Sequence, residues 1–94
     1  MTILQVEQTI SNFDRWKKAF DQDPIDRRKS GVERYRIFRP ADGQNCVVVH
    51  LEFDTLKGAQ ETLVALRKLW ENVDASIMVN PQTRILDVVE SAEV

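Results

Sequence analysis

Cysteine is nearly absent from this 94-residue chain. The single thiol, Cys46, excludes an intrachain disulfide and supplies no zinc-binding set. A surplus of positive charge is missing too. Thirteen basic residues face fifteen acidic ones, for a net charge of -2, and non-specific nucleic-acid binding needs a basic excess. No apolar run approaches the roughly 20 residues that cross a bilayer. The opening MTILQVEQTI lacks the basic leader and long apolar stretch of a secretory signal. There is no Gly-rich phosphate loop, P-loop or dinucleotide fingerprint, and no low-complexity segment or linker. The expectation is a cytoplasmic protein in a reducing setting, with neither nucleic acid nor membrane as a partner.

What is present describes a folded chain. A composition 43% hydrophobic and 30% charged is that of a globular protein rather than a disordered one. The length suits one domain over 1–94, and a domain so small buries a limited share of its surface, which makes oligomerisation a natural route to a larger core. The order of elements repeats. Residues 2–10, a helix from Phe13 and a strand from Val32 to Arg39 read strand, helix, strand. Cys46 to Phe53, a helix from Thr55 to about Glu71 and Arg84 to Glu90 read the same way. A split βαβ unit used twice predicts an α+β ferredoxin-like βαββαβ sandwich with a four-stranded antiparallel sheet.

Local signals place the elements. Asn12 or Asp14 suits the cap of the first helix, and Phe13, Trp16 and Phe20 fall on one face of it. Pro24 predicts a second short helix over 24–30, closed by Gly31. Arg27, Arg28 and Lys29 lie among Asp21, Asp23 and Asp26 and read as a neutralised, solvated segment. Pro40, Asp42, Gly43 and Asn45 predict a hairpin between strands two and three. CVVVHLEF has the β-branched run of a central strand. Asp54 or Thr55 caps the second helix, where Leu56, Ala59, Leu63, Leu66 and Trp70 form an apolar stripe. SIMV (76–79) reads as a short strand, broken by Asn80 and Pro81 before the last strand.

Period-two alternation then sorts the chemistry. With Val47, Val49, Leu51 and Phe53 turned to the helices, Cys46, Val48, His50 and Glu52 turn away. Gln5, Glu7, Arg34 and Arg36 join them beside Ile3, Phe38 and Val48. In a monomer this is a wet outer face. If two such faces pack together, the apolar residues are covered and the charges must pair, Arg34 or Arg36 with Glu52 or Glu7. His50 in that setting is either a hydrogen-bonded interface residue or a general base near neutral pH. His50 and Glu52 are two metal ligands without a third, so no metal site is defined. Cys46 reads as an inert, buried thiol. Trp16, Trp70 and Tyr35 are core aromatics that also suit the lining of an apolar pocket.

The element order, the FDRWKKAFD segment and GVERYRIFRPADGQNCVVVHLEFDTLKGAQ together resemble the dimeric α+β barrel superfamily, which includes the antibiotic-biosynthesis-monooxygenase-like proteins. The resemblance covers nearly the whole chain. It implies a homodimer with sheets packed face to face, ligand pockets between sheet and helices or within the barrel, and oxidation of aromatic substrates without metal or flavin. Such monooxygenases use a pocket asparagine and tryptophan. Here Asn12 and Trp16, or Asn80 and Trp70, are the available pairs, and neither falls where that pattern places it. Haem-degrading relatives use a histidine on the second helix, whereas His50 is on strand three.

Two readings of function follow. In one the chain is a small-molecule enzyme, a cofactor-independent monooxygenase or isomerase acting on an apolar or aromatic carbonyl compound. His50 moves the proton, Arg36 holds a developing anion, and Trp16, Tyr35, Glu52 and Arg34 shape the substrate site. In the other it is a non-catalytic binding or oligomerisation domain, and the same polar residues are interface ion pairs.

Overall fold

Alternation along two strands organises the molecule. In Thr2–Ile10 (β1) the even residues are buried and the odd ones are half-buried or exposed; in Cys46–Phe53 (β3) Val47, Val49, Leu51 and Phe53 are buried, and Glu52 on the opposite face is buried as well. The computed structural model describes residues 1–72 and 78–94. The elements are β1, Phe13–Asp21 (α1), Val32–Phe38 (β2), β3, Leu56–Trp70 (α2) and Met78–Asp87 (β4). They form an antiparallel four-stranded sheet in the order β2-β3-β1-β4, the ferredoxin-like α+β arrangement. The two strands with the strongest β-branched or alternating pattern are therefore the central pair.

The caps follow the sequence. Asn12 is extended and its side chain accepts the Arg15 N–H at 3.0 Å, while Thr55 Oγ1 accepts the Gly58 N–H at 3.0 Å. The hairpin turn is closed by the Gly43 N–H on the Pro40 carbonyl at 3.2 Å, with Gly43 at φ 80. Leu4, Val47 and Phe53 are fully buried at the centre of the core, and Trp16 and Ala59 close it from the helix side. No helix among the described residues is long and apolar enough to cross a membrane.

Three expectations are corrected. Residues 24–30 form turns instead of a helix, because Asp23 and Asp26 sit in the left-handed region at φ 53 and 51 and interrupt any continuous right-handed run. Aspartate tolerates that conformation by bonding the local backbone: Asp23 Oδ1 accepts the Arg27 N–H at 2.8 Å. The last strand does not break at Asn80 and Pro81. It runs from Met78 to Asp87 with an irregularity between Glu7 and Thr9 of its partner, and an edge strand tolerates the missing proline N–H. Of SIMV, Met78 and Val79 belong to β4, and Ser76 and Ile77 lie outside the described residues. Third, Leu56 at the start of the α2 stripe is 50% exposed, while Thr62 is buried and reaches toward the Ser30 carbonyl at 3.5 Å.

The contrast gives a stability test. Leu4→Ala should cost about 2–5 kcal/mol, the usual range for a buried leucine. Leu56→Ala should change stability by no more than about 0.5 kcal/mol. Urea unfolding of both variants checks the assignment.

Candidate functional site

The helix face of the sheet does not close completely. Between it and the helices lies a cavity of about 460 Å³. Its walls are Val6, Val49 and Leu51 from the sheet, Trp16, Ala19 and Phe20 from α1, Leu66, Leu69 and Trp70 from α2, and Pro24, Ile25 and Arg27 from the turns after α1. Gln8, Gln22 and Asn72 add uncharged polar groups. The size suits a small ligand.

Gln8 is the informative member. It is a polar residue on the buried side of β1, between Val6 and Ile10, and only 4% exposed. The Trp16 indole N–H donates to its amide oxygen at 2.7 Å. That bond satisfies both buried groups and fixes the indole against the sheet. Trp16 then continues an aromatic series, stacked on Phe20 with ring centres 5.1 Å apart and tilted against Phe13 at 5.8 Å. Tyr35 is one step further, edge-on to Phe20 at 5.1 Å. It lines a shallow neighbouring depression with Asp23, Arg27, Arg28 and Arg34. Among the described lining residues the cavity offers amides, two indoles and one guanidinium, but no carboxylate, thiol or imidazole. Its lining is mainly apolar, with a few polar groups that can donate or accept hydrogen bonds.

The other polar candidates occupy the opposite face. Register aligns Arg36, His50, Gln5 and Arg84 in one row across all four strands. His50 Nε2 lies 2.9 Å from Gln5 Oε1, and the ring meets Phe38 edge-on at 4.8 Å. One row along, Arg34 Nε contacts Glu52 Oε2 at 3.1 Å, the pairing anticipated for the covered face. Two apolar cross-strand pairs flank the polar row, Phe38 with Val48 and Ile3 with Leu86. The candidates therefore divide. His50, Arg36, Arg34 and Glu52 come together on the open face, Trp16 is on the cavity, and Tyr35 is beside it. Val49 and Leu51, the neighbours of His50 in β3, line the cavity while His50 projects the other way. Gln8 was missed by sequence reasoning, although an amide between Val6 and Ile10 in the inward-facing set of β1 was the available signal. Arg27 was read as solvated, yet its side chain is only 15% exposed.

Burial and the Arg36 charge lower the His50 pKa from the usual value of 6.5, against a smaller opposing pull from Glu52. Cys46 is pushed above the ordinary thiol range, chiefly by burial, with Glu7 and Asp42 adding to it. An inert thiol fits that position.

No family model matches the sequence, and no curated protein matches it. Solved structures do. SnoaB, a cofactor-independent oxygenase from Streptomyces nogalater, is 10% identical with a TM-score of 0.74, over 96% of this chain and 94% of its own. A putative antibiotic biosynthesis monooxygenase from Nitrosomonas europaea is 19% identical with a TM-score of 0.70, over 96% and 100%. The heme-degrader MhuD from Mycobacterium tuberculosis is 12% identical with a TM-score of 0.74, over 99% and 100%. The likeness is one of fold: the chain shares the ferredoxin-like α+β fold of these proteins.

His50 is the sole histidine, so its ring signals titrate without overlap. Its folded pKa is below the unfolded one, so the unfolded chain binds the proton first. The stability this contributes is full above about pH 6.5 and is lost as pH falls through the lowered folded value. An NMR titration should give a midpoint below 6.5, and Arg36→Gln should move that midpoint upward.

Proposed function

We propose that the chain is a homodimeric small-molecule-binding protein of the cofactor-independent monooxygenase type, with an apolar or aromatic ligand held between sheet and helices. The observation that carries this reading is the 460 Å³ cavity walled by Trp16, Phe20 and Trp70, with Gln8 holding the indole. Enclosure of this kind excludes water from a bound ring system, and amide groups in the wall orient a carbonyl or phenolic oxygen by hydrogen bonding. Similarity of fold to a cofactor-independent oxygenase and to a heme-degrader supports the reading at the level of architecture.

The open face is the dimer interface in this proposal. Phe38 at 39% exposure with Val48 on one side of the polar row, and Ile3 with Leu86 on the other, form apolar surface that a second sheet would cover. His50, neutral and bonded to Gln5, and the Arg34–Glu52 pair are then interface groups. An isomerase in which His50 moves the proton and Arg36 holds the anion is the competing proposal. It needs the ligand on this face.

Two measurements test the proposal. The fluorescence of N-phenyl-1-naphthylamine should rise on binding to the parent, and Ala19→Phe, which fills the cavity, should weaken that binding by about tenfold or more. Undiminished binding to Ala19→Phe would place the ligand elsewhere, and no binding to the parent would favour a non-catalytic oligomerisation domain. Sedimentation should show a dimer at micromolar concentration. Glu52→Ala, by leaving a covered arginine unpaired, should cost the dimer about 3–5 kcal/mol. A dimer as stable as the parent would contradict the interface.

A further inference from the structure

Arg27 is the one charged side chain among the described residues that line the cavity. It reaches that position because Asp23 and Asp26 turn the chain sharply after α1 and bring 24–31 back against the helix. Its guanidinium is held in three ways. Nη1 donates to the Phe20 carbonyl at 2.8 Å, the group lies over the Phe20 ring at 4.0 Å, and the Tyr35 ring is 5.1 Å away. A guanidinium so fixed loses little freedom on binding a ligand, because most of its ordering has already occurred.

Its charge is only loosely met. Asp23 Oδ1 is 3.5 Å from Nη1, already accepts the Arg27 backbone N–H, and belongs to a side chain 37% exposed to water. Among the described residues both contacts of the side chain with oxygen run through Nη1, which leaves Nε and Nη2 as donors. A cation mostly removed from water, beside an apolar cavity and met only by the long contact with Asp23, favours an anion that brings its own oxygens. The site also sits at the edge of the cavity, since Arg27 lines the outer depression as well, together with Arg28 and Arg34 and the carboxylates of Asp23 and Glu33.

We infer that the ligand is an apolar ring system bearing an acidic group, a carboxylate or an acidic oxygen of similar charge, and that Arg27 selects it. The rings fill the space between Trp16 and Trp70, and the acid stays at the cavity edge against the guanidinium. This assignment rests on the cavity being the ligand site. Arg27 also ties the turn to α1 through the Phe20 carbonyl, and that structural role alone would give no preference for charge.

The experiment compares two fluorescent probes of nearly equal shape, 8-anilinonaphthalene-1-sulfonate, an anion, and neutral N-phenyl-1-naphthylamine. Arg27→Gln should weaken the anion by about tenfold or more, as expected for loss of a charge-assisted hydrogen bond, and leave the neutral probe within about twofold. Arg27→Lys should restore part of the anion binding. Equal weakening of both probes, or of neither, would overturn the assignment. If Arg27→Gln does not fold by circular dichroism, the parent protein still decides the matter. There 1-naphthoate should displace the neutral probe at a concentration about tenfold below that of uncharged 1-naphthamide, and equal potency would overturn the assignment. Neutral-probe binding unchanged by Ala19→Phe would instead remove the cavity as the site, and the role of Arg27 with it.

Discussion

The pairing of β1 with β3 is the constraint on which the rest of the molecule depends. Leu4 opposite Leu51 and Val6 opposite Val49 place an apolar surface under the helices, and the same register puts Gln5 opposite His50 and Ile3 opposite Glu52 on the other side. Because side chains alternate with period two, a slip of one residue would exchange the two surfaces and put His50 and Glu52 into the core. The burial of Leu4, Val6, Val47, Val49, Leu51 and Phe53 makes that exchange prohibitive. One register therefore decides both which face borders the cavity and which face is left open.

The helix side depends on small departures from a filled core. Ala19 supplies little volume on α1, and the chain after Asp21 turns away through two left-handed aspartates instead of continuing as helix. The space left is walled by Trp16, Phe20 and Trp70 and kept in shape by the indole–amide bond to Gln8. The open side is organised by rows that run across strands. Arg36, His50, Gln5 and Arg84 share one row, and apolar pairs lie to either side. A polar row bordered by apolar pairs on an uncovered sheet fits a self-associating surface, in which charges are paired and the flanking residues exclude water.

Much of this was legible in the sequence because it follows from local periodicity. The strand limits of β1 and β3, the Asn12 and Thr55 caps, the hairpin at Pro40–Asn45 and the membership of the open face all come from alternation and turn chemistry. One failure has a local cause and the others come from the fold. Pro24 suggested a helix, but Asp23 and Asp26 satisfy the backbone through their own carboxylates. Pro81 suggested a break, but β4 is an edge strand, where a lost donor is tolerated. The charge run 27–29 read as solvated, which holds for Arg28 and Lys29. Arg27 escapes the pattern because two aromatic rings from different elements, Phe20 and Tyr35, converge on it. The cavity as a whole has no local signature beyond Gln8 and the tryptophans, since it is formed by residues from β1, β3, both helices and a turn.

The central claim is that the two faces of one sheet serve different partners, a ligand on the helix side and a second chain on the other. The most direct measurement is a ¹H–¹⁵N spectrum of the labelled protein titrated with 1-naphthoate. The account predicts that the indole N–H resonances of Trp16 and Trp70 move with added ligand while the His50 ring signals stay in place. Movement of the His50 ring with unchanged indoles would put the ligand on the open face and contradict the account.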